Sequence, residues 1–132
     1  MTMATADELA RKKCVPCEGG VPSIEREEAE SLLKGLPGWT LTADHKRIRK
    51  SWVAKNFVAG ITFFDQVAVL AEDEGHHPDL HLEGYRNVTI EIWTHAIGGL
   101  SENDFILAAK IDKIPIAVRK SGGIAPVNIP HA

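Results

Sequence analysis

The chain has 132 residues, 44% hydrophobic and 25% charged, which is one domain's worth of sequence with enough apolar content for a core and too much for a disordered chain. A net charge of −3 argues against nucleic acid as the main partner, since that needs a basic face. No stretch approaches the ~20 apolar residues of a membrane span, and no apolar core follows the first charges as a signal peptide requires, so a cytoplasmic protein is expected.

Residues 1–22 mix charges and small residues with Cys14, Cys17, Gly19 and Gly20, and read as an arm without a core-facing pattern. One C-x-x-C pair is half of what a zinc ribbon needs and lies in no redox context, so two reduced thiols are expected. A first helix starts near Ser23, where Glu25, Glu27 and Glu28 suit the positive end of the dipole. Ala29, Leu32, Leu33 and Leu36 recur at helical spacing, and Gly35 and Pro37 mark the stop. WTLTADHKRIRKSWVA follows, with Trp39, Leu41, Ile48 and Trp52 alternating around a turn at 43–46, and predicts a β-hairpin. The next run predicts a helix capped by Asn56, with Phe57, Gly60, Phe63, Phe64, Val67, Leu70 and Ala71 along one stripe and Gly75 ending it in αL conformation.

After Pro78 the period changes to two. DLHLE, the turn GYRN and the strand VTIEIWTH form a second hairpin. Val88, Ile90 and Ile92 point one way, and Thr89, Glu91, Trp93 and His95 the other. A capping-box variant at Ser101-Glu102-Asn103-Asp104 opens the last helix, and Pro115 closes it. The tail, 116–132, is rich in Gly and Pro and is expected at the surface. The order α-β-β-α-β-β-α implies an α+β fold, a four-stranded antiparallel sheet with three helices on one face, in a core spanning 23–115. Its open edges suggest pairing between subunits.

Three histidines, His76, His77 and His81, fall within six positions beside Glu72, Asp73, Glu74 and Asp79. Adjacent histidines on an extended chain point apart, so a single metal site is disfavoured and none is expected. Acid/base chemistry asks less: imidazoles held near a substrate, with a carboxylate to orient them. If the second hairpin pairs, His95 returns beside His76 and His77. A second reading makes HHP a polar loop whose rings cap the helix C-terminus.

The run EDEGHHPD, then Tyr85, then WTH at 93–95 and GGLSEND at 98–104, resembles the pterin-4a-carbinolamine dehydratases over residues 23–114. The resemblance implies a hydro-lyase that removes water from 4a-hydroxytetrahydropterin in tetrahydrobiopterin recycling, with no metal and no organic cofactor. It implies a sheet carrying three helices, and a homodimer or homotetramer. It places the family's active-site histidines at His76, His77 and His95, its helix-end glutamate at Glu72 and its aspartate at Asp104. In that reading His77 is the principal acid/base, His76 and His95 bind the pterin, Glu72 orients a histidine and Asp104 contributes to substrate binding. Pro78 and Trp93 read as structural, and His81 as a strand-surface residue. The longer arm also resembles dehydratase-like Rubisco assembly factors of some bacteria and plastids. That makes a protein client the alternative to pterin chemistry, with a carboxysome context.

Overall fold

The computed structural model describes residues 5–15 and 22–119, so Cys17, Gly19 and Gly20 and the tail beyond Arg119 lie outside the described residues. Four α-helices and four strands follow one another: α1 (Ala6–Arg11), α2 (Arg26–Leu33), β1 (Thr40–Leu41), β2 (Ile48–Val53), α3 (Phe57–Glu74), β3 (Asp79–Glu83), β4 (Asn87–Ile92) and α4 (Glu102–Ile111), with a short 3₁₀ turn at His95–Ile97. The strands form one antiparallel sheet in the order β1-β2-β4-β3.

Register decides the two faces. Ile48, Lys50 and Trp52 of β2 stand opposite Ile92, Ile90 and Val88 of β4, which in turn meet Leu80 and Leu82 of β3. This row packs under the helices, where Ile48, Val88, Ile90 and Ile92 are fully buried with Phe63, Val67 and most of α4. The other face is polar, with Arg49, Ser51, Thr89 and Glu91. An edge-to-face aromatic chain joins the layers: Trp39 meets Trp52 at 6.0 Å between ring centroids, and Trp52 meets Phe63 at 5.1 Å.

Helix α3 is built as its sequence predicts. The Asn56 side chain accepts the Ala59 N–H at 2.8 Å, and Gly75 caps the far end at φ 65°. Gly60 is where α3 presses closest to the sheet: a Cβ there would sit 3.3 Å from Leu82 Cδ1 and 3.5 Å from Val88 Cγ2.

Several expectations need correcting. The N-terminal segment is no patternless arm: it forms α1, begins with a Thr5–Glu8 capping box and buries Leu9 completely. One buried leucine on a single turn and a half of helix leaves no periodicity to read, so its docking is tertiary. Among the described residues the α-helices therefore number four. Helix α2 starts with Glu25 as N-cap, two residues later than Ser23 predicts. Strand β4 ends at Ile92 rather than His95, because Thr94 turns to pair with Gly99 and leads into the 3₁₀ turn. The first residues of the tail are fixed: Lys55 N–H bonds to Ala117 O and Arg119 N–H to Val53 O, both at 2.9 Å, filling edge positions of β2 that the two-residue β1 leaves open.

Candidate active site

Glu74 ends α3, Gly75 reverses the chain, and His76 and His77 follow before β3 begins at Asp79. The His76 N–H still bonds to Ala71 O at 3.2 Å, so the helix end itself anchors the loop. Strand β4 runs antiparallel to β3, which brings the residues after Ile92 back to this point. A cleft of about 200 Å³ results, lined by Gly75, His76, His77, Trp93, Thr94, His95 and Ala96. The structure thus brings together the three histidines from two segments. His81 lies apart, exposed in mid-β3 opposite Thr89.

Two of the three histidines have their own carboxylate. His76 Nε2 meets Asp104 Oδ1 at 2.6 Å, and His77 Nε2 meets Glu72 Oε2 at 2.5 Å. With an ionised carboxylate as acceptor the ring nitrogen donates, which fixes the tautomer and leaves Nδ1 of a neutral imidazole as the acceptor. The pairs differ in setting. The His76 side chain is 11% exposed and Asp104 is completely buried, whereas the His77 and Glu72 side chains are 59% and 77% exposed. One pair is a fixed strut and the other faces solvent.

Asp104 is committed on all sides. Its Oδ2 accepts the Thr94 hydroxyl at 2.9 Å and the Ser101 N–H at 2.8 Å, while Oδ1 holds His76. The Thr94 hydroxyl also meets Ser101 Oγ at 2.7 Å. Asp104, expected to contribute to substrate binding, is fully buried beneath His76 and holds its ring. Its helix-capping role and its histidine role coexist, one oxygen to each.

The wall beside His95 is Trp93, which the sequence suggests as a structural residue. The Trp93 and His95 rings lie 4.3 Å apart, centroid to centroid, and tilted by 46°. The Arg47 guanidinium lies 4.7 Å over the Trp93 ring, and the indole N–H donates to Asp79 Oδ2 at 3.2 Å. Arg47 also reaches Glu91 at 3.1 Å and Asp79 at 3.5 Å. Trp93 therefore serves both packing and the cleft, giving it a rigid aromatic side suited to a flat heterocycle. Its parity with His95 carried the signal; Arg47 had none, because its contact crosses from β2's approach to the end of β4.

Among the described residues no group of three or more His, Cys, Asp or Glu side chains is arranged to hold a metal ion. No helix among them is long and apolar enough to cross a membrane.

Fold and cleft together define an α+β protein with a cleft of carboxylate-paired histidines at the open end of the second hairpin. A family model described as Pterin 4 alpha carbinolamine dehydratase matches residues 22–114, and the chain belongs to that family. It is 50% identical over 118 residues to pterin-4-alpha-carbinolamine dehydratase 2, mitochondrial, of Arabidopsis thaliana, covering 87% of this chain and 63% of that relative. A relative from Dechloromonas aromatica is 47% identical over 112 residues, covering 85% of this chain and 97% of its own length. Among solved structures, the transcriptional coactivator/pterin dehydratase from Brucella melitensis superposes with a TM-score of 0.64 at 28% identity, over 69% of this chain and 96% of that one.

Proposed function

We propose that the chain is a 4a-hydroxytetrahydropterin dehydratase acting on the biopterin form, with His77 as the principal acid/base. The observation that carries this reading is the convergence of His76, His77 and His95 on one cleft, with a carboxylate behind each of the first two. Elimination of water needs two proton movements. The departing hydroxyl must receive a proton so that the C–O bond breaks to release water. A ring N–H must lose one so that its electron pair closes a C=N double bond. No net proton is consumed, so one imidazole that gives and takes suffices for turnover.

The exposure of His77 and the hold of Glu72 on its Nε2 support it as the side chain that exchanges protons. His76, fixed by buried Asp104, is suited to hold the heterocycle by a hydrogen bond from a constant position. His95 and Trp93 supply the flat side against which the ring lies. The family to which the chain belongs and the dehydratase names of its relatives support the reaction class. No observation favours a Rubisco client. Self-association is part of the proposal, supported by exposed Phe57, Val58, Ile61 and Val69 on α3.

The test is a stopped-flow assay of the 4a-hydroxy species with wild type, His77→Ala and buffer. Wild type should speed its loss well above buffer, and His77→Ala should forfeit about 10²-fold of that acceleration or more. A wild-type rate equal to buffer would sink the proposal.

A further inference from the structure

The segment before the family's matched region has no part in the chemistry above, yet it bonds to Glu74, which precedes Gly75 of the cleft, and to Asn103, which precedes Asp104. Helix α1 lies on α4 with Leu9 fully buried. Beyond it the chain runs extended through Cys14 and Val15, and these two neighbours bond to different helices. The Cys14 N–H donates to Glu74 Oε1 at 2.8 Å, at the last residue of α3. The Val15 N–H donates to Asn103 Oδ1 at 3.0 Å, and Val15 O accepts from Asn103 Nδ2 at 2.5 Å, in the first turn of α4. The Cys14 thiol also reaches the Asn103 carbonyl at 3.5 Å.

Glu74 stands two residues before His76, and Asn103 stands next to Asp104, the carboxylate that holds His76. We propose that residues 5–15 are a positioning element of the cleft: Cys14 and Val15 staple the C-terminal end of α3 to the N-terminal end of α4, and so set the His76–Asp104 contact. Glu74 and Asn103 are the positioning residues through which it acts.

The physical reasoning is geometric. Consecutive Cα atoms lie a fixed distance of about 3.8 Å apart, so two adjacent residues bonded to two helix ends act as a rigid spacer between them. The anchors are well made. Asn103 grips both polar groups of the Val15 backbone, which is the bidentate pairing a strand neighbour would offer. Glu74 is nearly buried, and its second oxygen is held by Lys110 of α4 at 2.7 Å, so its carboxylate cannot swing away from Cys14. Leu9 supplies the apolar hold that keeps the spacer docked, and the exposed pairs Lys12–Glu102 and Lys113–Asp7 flank it. The backbone N–H groups of Cys14 and Val15 are bonded to Glu74, two residues before His76, and to Asn103, the neighbour of Asp104.

The inference rests on the dehydratase reading for its kinetic readout, but not for its structural one. The full-length chain is compared as wild type, Asn103→Ala, Glu74→Leu, Glu74→Gln and Val88→Ala. Val88 is a core residue at the opposite end of β4 and serves as the stability control. Each is assayed for kcat and KM, for Tm, and for the His76 ring signals in a ¹⁵N-histidine NMR spectrum. Asn103→Ala and Glu74→Leu should lower kcat about tenfold with KM within about twofold, and should move the His76 ring signals, as a shift of the reacting geometry does. Glu74→Gln keeps an acceptor for the Cys14 N–H and should stay within about threefold of wild type in kcat. Val88→Ala should lower Tm while leaving kcat and the ring signals in place. Asn103→Ala at wild-type kcat with unmoved His76 signals overturns the staple, and so does a kcat loss that Val88→Ala reproduces at equal Tm. Should Asn103→Ala fail to fold, Glu74→Leu against Glu74→Gln decides in the same way. If wild type itself shows no turnover above buffer, the dehydratase reading fails, and the ring signals alone decide the staple.

Discussion

Two buried polar side chains at neighbouring points of the molecule show opposite electrostatic outcomes. Burial pushes the Cys14 thiol up to about 12, helped by the nearby Glu74 carboxylate. Glu74 is also desolvated, yet the Cys14 N–H, the Lys110 ammonium and Lys13 outweigh that burial and hold its carboxyl below the usual range. The charged form survives where donors surround it and is suppressed where they do not. A thiol at about 12 rather than 9 holds about 10³-fold less thiolate at pH 8. In a Cys17→Ser background, Cys14 should therefore alkylate with iodoacetamide about 10³-fold more slowly than an open thiol until the chain is unfolded. Labelling at the open-thiol rate would mean that the segment undocks readily in solution. Sequence alone presented Cys14 as half of a C-x-x-C pair; its burial against Asn103 and Glu74, 89 and 60 residues away, is a long-range fact that spacing does not encode.

At the scale of elements, local signals carried α3 and the second hairpin because each contains its own instructions. Asn56 and Gly75 bracket eighteen residues of α3, and the alternation from Val88 to Ile92 buries every second side chain. The sequence alternation runs three residues past the strand's end, through Trp93 and His95, while the backbone turns at Thr94. That turn is decided by Asp104: its carboxylate binds the Thr94 hydroxyl, the Ser101 N–H and His76 together. Asp104 is the joint between β4, α4 and the histidine loop, which its capping position in the sequence does not reveal. Asp104→Ala would remove the acceptor that these three donors share, with the Thr94 hydroxyl keeping Ser101 Oγ as a partner. It should lower unfolding free energy by about 3 kcal/mol, measured by urea denaturation, because an orphaned buried donor costs about 1–3 kcal/mol and three share this site unequally. A loss under about 1 kcal/mol would show that water replaces the carboxylate easily.

Across the whole molecule, the histidine cleft lies where the α3–β3 loop meets the β4–α4 connection, and the N-terminal segment bonds to the helix ends that flank these two, at Glu74 and Asn103. The first two were legible as pattern, and the third was not, because its contribution is polar and backbone-directed. Its dependence on Glu74 gives the fold a pH response of definite sign. The folded-state pKa of Glu74 lies below its ordinary value of 4.5, so the carboxylate's contribution is present in full above that value and is lost as pH falls through the lower folded-state value. Asp7, held down by the Lys113 ammonium at the surface, acts in the same direction. Wild type and Glu74→Gln should therefore differ most in urea midpoint at pH 7; the gap should narrow as pH falls below about 4.5 and close below the lower folded-state value, where both carry a neutral side chain. The docked segment should loosen over the same range, seen as faster amide exchange at Cys14 and Val15 relative to the sheet. A gap between the two proteins that stays constant down to pH 3 would mean that Glu74 stabilises through shape and not through charge. The clamp on the cleft would then not depend on the ionisation of its central carboxylate.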